Sequence, residues 1–208
     1  MATLKHYGVP GMKWGVRKDR LSDSKVKSGR LDSFGSDGHN ILYVTGISGS
    51  GKSTLALKLA DKLNAEPIHL DWYYDGRSTQ STPFSKFLES NGVNLKNVYK
   101  DGKLNFEESD KIFPLMKKYS EDHKLIAEGV QLLDGTMSST MRSELSHEPV
   151  ISVQTSAKVA FNRATERDQV AMDYVNFQKA KKLQDLFDND VSLSIGEAYA
   201  ESLLEEST

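Results

Sequence analysis

From Gly46 to Thr54 the chain reads Gly-Ile-Ser-Gly-Ser-Gly-Lys-Ser-Thr. This spacing, G-x-x-x-x-G-K-S/T, constrains the fold more than any other part of the sequence. A loop of this kind wraps phosphates with its backbone N–H groups, so it needs glycine where the chain turns with φ > 0 or lies flush against the ligand. Lys52 is placed to reach the outer phosphates and the Ser53 hydroxyl to bind Mg²⁺, with Gly46, Ser48, Gly49, Ser50, Gly51 and Thr54 completing the cradle. A chance match in a chain of 208 residues has a probability on the order of 1%. The flanks lower it further. Ile41 to Thr45 is a short apolar, β-branched run that reads as a buried parallel strand, and Thr54 to Leu63 has leucines at helical spacing. Strand, loop and helix in this order place an anion at a helix N-terminus, where free N–H groups and the dipole both favour it.

The surrounding sequence alternates in the same way. Residues 67–70, 125–128 and 150–153 read as further strands; 84–90, 106–119, 137–145 and 157–168 read as helices, with a kink or break at Pro114. The segments 174–187 and 195–204 read as surface helices. Such alternation predicts an α/β fold, a mostly parallel sheet with helices on both faces, whose ligands gather beyond the carboxyl ends of the strands. No cysteine is present, which excludes disulfides and thiolate metal sites, and no apolar run approaches a membrane span or a signal-peptide core. A net charge of −2 gives no whole-chain case for nucleic-acid binding. The expectation is a soluble, unexported protein.

Residues just after each strand are therefore the functional candidates. Asp71, in His69-Leu70-Asp71-Trp72-Tyr73-Tyr74, is placed to accept a proton from an attacking hydroxyl; the competing reading makes it a turn cap. Tyr73 or Tyr74 would stack on the acceptor or else pack in the core, and Arg77 would hold an anion. Glu128 ends the 125–128 strand and would hold Mg²⁺ through water or orient the nucleophile; otherwise it is a salt-bridged strand end. The loop Gly129-Val130-Gln131 would line the acceptor pocket. Arg163 and Arg167, one helical turn apart, emerge on one face and can converge on the phosphates, or form a solvated charged helix with Glu166 and Asp168. Arg142 is a weaker candidate. The five histidines show no metal-ligand spacing.

Residues 41 to about 170 thus resemble the P-loop small-molecule kinases, in the branch of uridine-kinase-like, shikimate-kinase-like and polynucleotide-kinase-like enzymes. The resemblance implies a three-layer P-loop NTPase fold, ATP and Mg²⁺ as cofactors, Asp71 as the group activating the acceptor hydroxyl, and Arg163 and Arg167 as phosphate clamps. The acceptor, receiving the phosphoryl group on a hydroxyl or a phosphate, is left open among a nucleoside, a nucleotide and a polynucleotide 5′ end. Two departures stand out: Glu128 where Asp is more usual, and no long lid insertion between Asp168 and Tyr174, which suggests a short lid.

The N-terminal forty residues differ in composition. Residues 18–40 are polar and Gly/Ser-rich with few large apolar groups, and read as a flexible linker in a disordered leader. Residues 1–17 contain His6-Tyr7-Gly8-Val9-Pro10-Gly11-Met12-Lys13-Trp14-Gly15-Val16-Arg17, whose Tyr, Trp and Arg are residue types that anchor interfaces. This segment resembles H-x-G-x-x-G-x-x-W-G-V-R segments found near the ends of otherwise unrelated tailed-bacteriophage proteins. The resemblance covers twelve residues. It implies a docking motif for a capsid or virion protein and a cytoplasmic or virion-associated location in an infected bacterial host. The folded kinase-like domain then spans 41–208. A competing expectation is a virion-associated nucleotide-binding protein with little or no turnover.

Overall fold

The computed structural model describes residues 25–29, 33–36, 38–74, 81–100, 103–130, 132, 145, 147–168, 173–190 and 194–195. The docking segment 1–17 lies outside these, as do Arg77, Gln131, Arg142 and most of the helix expected over 137–145.

In chain order the elements are β1 (Lys25–Gly29), β2 (Ile41–Thr45), α1 (Lys52–Leu63), β3 (Glu66–His69), α2 (Leu70–Tyr74), α3 (Pro83–Ser90) and α4 (Leu95–Val98). A small hairpin follows, β4 (Tyr99–Lys100) with β5 (Lys103–Leu104), then α5 (Phe106–Ser109), α6 (Ile112–Ser120) and β6 (Leu125–Glu128). The chain continues through β7 (Val150–Gln154), α7 (Ala157–Asp168), α8 (Tyr174–Asp190) and β8 (Ser194–Ile195). The main sheet has the order β3-β6-β2-β7-β1-β8. Its first four strands are parallel. The last two run antiparallel at one edge.

The strand-side alternation explains why the sheet is sandwiched. Every residue of β2 is buried. Ile41 and Tyr43 point to one face and Leu42 and Val44 to the other, which a strand does only when both faces are covered. On one face α1 lays Leu55, Ala56, Leu59 and Ala60 against Leu42, Val44, Ile126, Ile151 and Val153. On the other, α2, α3, α6 and α7 contribute Tyr73, Phe84, Leu88, Ile112, Met116 and Ala160 to a larger core. Each large side chain so buried contributes roughly 1.5–3 kcal/mol, and the result is a three-layer α/β fold.

Three expectations are corrected. Residues 25–29, expected within the flexible linker, form β1 and pair along their length with β7. A polar segment can do this at a sheet edge because the ladder is made by backbone groups, which have no side-chain requirement. The helix expected over 106–119 is two helices, and the break falls at Asp110 and Lys111 rather than at Pro114. Pro114 sits in the first turn of α6, where its missing N–H would have had no helical partner. Ile195, expected to open a helix, instead pairs with Lys27 in β8.

Candidate active site

β2 leads straight into the phosphate loop, and the loop's geometry rests on two close approaches. At Gly46 an added Cβ would lie 2.6 Å from Ser50 Oγ and 2.9 Å from the Val153 carbonyl. At Gly49, where φ is +78°, it would lie 2.2 Å from the carbonyl oxygen of Ala160 in α7. The loop is therefore pressed against both the next strand and a helix backbone. It is also tied internally: Ser50 N donates to Ile47 O at 3.0 Å, and the buried Thr155 hydroxyl donates to Ser50 O at 3.3 Å. Gly51 N-caps α1 in the left-handed region, with no side chain occupying the cap. The first N–H groups of the helix thus carry no side-chain cap, an arrangement that favours an anion there.

Lys52, the first residue of α1, is 5% exposed. Its ammonium stands 4.0 Å from Glu128 Oε2. Sheet register explains this meeting: Glu128 is paired with Val44 on one side and His69 on the other, so it ends β6 level with the loop's entry. Glu128 Oε1 accepts a hydrogen bond from His69 Nδ1 at 2.6 Å. Burial pushes the Glu128 pKa up, but the His69 hydrogen bond, the charges of Lys52 and His69 and the nearby Ser53 hydroxyl outweigh it, and the net shift is downward. Glu128 is 2% exposed and stays ionised. Its Oε2 is buried with no hydrogen-bond partner.

Asp71 sits in the first turn of α2, directly after β3. Its Oδ1 accepts a long hydrogen bond from Val130 N, 3.4 Å, which ties the carboxylate to the chain just past Glu128. From the opposite side, Arg167 near the end of α7 reaches Ser48 Oγ at 3.4 Å. Asp168 grips the same guanidinium through both oxygens, at 2.6 and 2.7 Å. These bonds, with the charges of Asp168, Asp71 and Glu128, hold Arg167 more firmly protonated than an ordinary arginine, against the opposing effect of burial. Arg163 stands one turn back on α7, half-buried.

The strand-end reading thus brings Lys52, Ser53, Glu128, Asp71 and Arg167 together. It fails for the tyrosines. Tyr73 and Tyr74 are 2% and 7% exposed and belong to the core. Tyr73 shares a hydrogen bond with Thr82 Oγ1, and Tyr74 donates to the Ser109 carbonyl. Helix α2 turns them inward and leaves Trp72 as the half-exposed aromatic, its ring 4.3 Å from that of His69. His69 is the residue that sequence reasoning missed; its place two residues before Asp71, at the end of a strand, was the available signal.

Do these residues suit Mg²⁺? Among the described residues no group of three His, Cys, Asp or Glu side chains forms a cage. Mg²⁺ does not need one: it keeps several waters and takes one or two protein oxygens plus substrate phosphates. The Ser53 hydroxyl and the orphaned, ionised Glu128 Oε2 meet that description, so the site fits the ion.

A strand, a glycine-rich loop pressed into the fold, and a helix beginning at its lysine are the elements of a P-loop fold. Among solved structures, the chain is similar to the shikimate kinase from Acinetobacter baumannii in complex with shikimate, at 19% identity. That alignment covers 80% of this chain and 89% of the other, with a TM-score of 0.49. It is also similar to a gluconokinase from Sinorhizobium meliloti 1021, at 14% identity, covering 82% and 99%, with a TM-score of 0.39. A model of the family of unknown function DUF7211 matches residues 1–21. No curated protein matches the chain.

Proposed function

We propose that the chain is an ATP- and Mg²⁺-dependent kinase that moves the γ-phosphoryl group to a hydroxyl or phosphate of a small acceptor, such as a nucleoside, a nucleotide or a polynucleotide 5′ end. The observation that carries this reading is the pairing of a phosphate loop with an acceptor side: Asp71, tied to Val130 N beyond the strand ends, on one flank, and Arg167, touching Ser48, on the other.

The residues divide the work. Backbone N–H groups of the loop hold the phosphates and Lys52 bears on the outer ones. Ser53 and Glu128 would hold Mg²⁺, which would supply charge neutralisation on the phosphates. Asp71 takes the proton of the acceptor hydroxyl. Arg167, with Arg163 behind it, offsets charge on the transferring group. Because Asp168 already holds the Arg167 guanidinium at the loop, little reorganisation is required on this flank. We expect Arg167→Ala to lower kcat roughly 10²-fold with nucleotide affinity and melting temperature near wild type, measured by steady-state kinetics and calorimetry. An unchanged kcat would remove Arg167 from the chemistry.

The decisive experiment is an ATP-consumption screen against nucleosides, nucleotides and 5′-hydroxyl oligonucleotides. ADP release above background with one class identifies the acceptor. Background release with every class would sink the kinase reading.

A second proposal concerns the N-terminus alone and rests on the interface-type residues Tyr7, Trp14 and Arg17. Residues 1–17 act as a docking module for a capsid or virion protein, separate from the nucleotide-handling core. Deleting them should leave ATP turnover intact and abolish particle association; retained association would refute docking.

A further inference from the structure

Glu128 is a buried carboxylate with its two oxygens treated differently. Oε1 is bonded by His69 Nδ1, whereas Oε2 has no hydrogen-bond partner and faces Lys52 at 4.0 Å. A glutamate carboxylate at a strand end can turn about its terminal torsion, a broad and soft coordinate, so something must decide which oxygen faces the loop. His69 is built to do so. It lies directly across the parallel ladder from Glu128, and its side chain is 12% exposed. Its ring is also held from the other side by Trp72, at a centroid distance of 4.3 Å. The ionised carboxylate has no proton to give, so Nδ1 carries the hydrogen of this bond. Outer groups that hydrogen-bond a ligating carboxylate fix its orientation, and losing one typically costs 10–100-fold in metal affinity.

Resting on the kinase reading above, we infer that His69 is a positioning residue: clamped by Trp72, it fixes one Glu128 oxygen so that the other is presented to Ser53, Lys52 and the Mg²⁺ that accompanies the nucleotide. His69 touches neither phosphate nor acceptor in this role. It acts through Glu128, so its loss should weaken the metal's contribution to nucleotide binding and leave metal-free binding alone.

Two variants of the full chain separate this from a packing role. His69→Phe keeps a flat ring against Trp72 and removes the donor. His69→Asn keeps an N–H at about the position of Nδ1 and removes the ring. ATP binding is titrated calorimetrically with and without Mg²⁺, and the Mg²⁺ concentration giving half of the affinity gain is read. For His69→Phe this concentration should rise roughly 10–100-fold while metal-free ATP affinity stays at the wild-type value; His69→Asn should restore the wild-type titration. A His69→Phe titration matching wild type, or a His69→Asn variant as damaged as His69→Phe, overturns the inference. If wild-type ATP binding itself shows no response to Mg²⁺, the kinase reading falls and this inference with it; if wild type responds and His69→Phe responds at the same Mg²⁺ concentration, the inference falls alone. Should His69→Phe not fold, long-range ¹H–¹⁵N spectra of the wild-type protein decide the point: a protonated Nδ1 is expected, and a bare Nδ1 overturns the inference.

Discussion

Gly49→Ala is expected to abolish ATP binding and to lower stability by ~2–5 kcal/mol, the sum of overpacking and the cost of holding alanine in the left-handed region. The new Cβ would stand 2.2 Å from the Ala160 carbonyl oxygen, and φ at this position is +78°. That carbonyl belongs to the backbone of α7, whose buried Ala160 and Ala164 seat the helix in the core. It cannot swing aside as a side-chain tip can. The loop must move instead, and its N–H groups then no longer converge on one phosphate site. Gly92→Ala supplies the control, because Gly92 has nearly the same φ of +83° with nothing within 4 Å. It should cost only the conformational ~1–2 kcal/mol and bind ATP normally. Thermal melts and calorimetric ATP titrations of both variants test the claim. Equal losses in the two variants, or wild-type ATP affinity in Gly49→Ala, would show that the press of loop against helix is not what shapes the site.

The same contact bears on how the arginine side is organised. A glycine at 49 permits α7 to sit against the loop, and one and two turns further along that helix come Arg163 and Arg167. Both arginines are therefore carried on a packed element of the core, with Asp168 fixing the guanidinium of Arg167. This agrees with the absence of a long insertion between Asp168 and Tyr174 in the sequence.

How much of this was legible beforehand follows from what kind of information each feature depends on. The loop, the strand before it and the helix after it are local patterns, and Ile41–Thr45 and Ala157–Asp168 form where periodicity places them. Asp71 and Glu128 were legible because strand ends in a parallel sheet share one side, so position along the chain implies position in space; Arg167, near the end of α7, was legible from its one-turn spacing to Arg163. The tyrosines misled because α2 starts immediately after β3, and helical rather than extended geometry decides which of Trp72, Tyr73 and Tyr74 faces inward. β1 was hidden for a different reason. Lys-Val-Lys-Ser-Gly shows no apolar run, and what recruits it is the open backbone of β7 more than a hundred residues later. His69 needed the β3–β6 register, a non-local pairing that composition does not report.

Asp71→Asn is expected to lower kcat by roughly 10²–10⁴-fold, the usual worth of a positioned general base, with little change in ATP affinity or melting temperature. The substitution is nearly isosteric, and the asparagine carbonyl can still accept from Val130 N, so the tie at 3.4 Å survives. What disappears is the capacity to take a proton. Asp71→Ala separates the two functions: it loses the base and the hydrogen bond together, and should cost about 1 kcal/mol more in stability at a similar kcat. Single-turnover kinetics on the acceptor found in the screen, with ATP affinity measured in parallel, reads both terms. Three outcomes discriminate. A large fall in kcat shared by Asn and Ala assigns Asp71 to proton transfer. Wild-type kcat in Asp71→Asn with a fall only in Asp71→Ala makes the carboxylate a tether for the Val130 segment and moves the base elsewhere. A joint fall in kcat and ATP affinity in Asp71→Asn would place its charge on the nucleotide side, where it already adds to the field around Arg167, and the division between an acceptor flank and a phosphate flank would have to be redrawn.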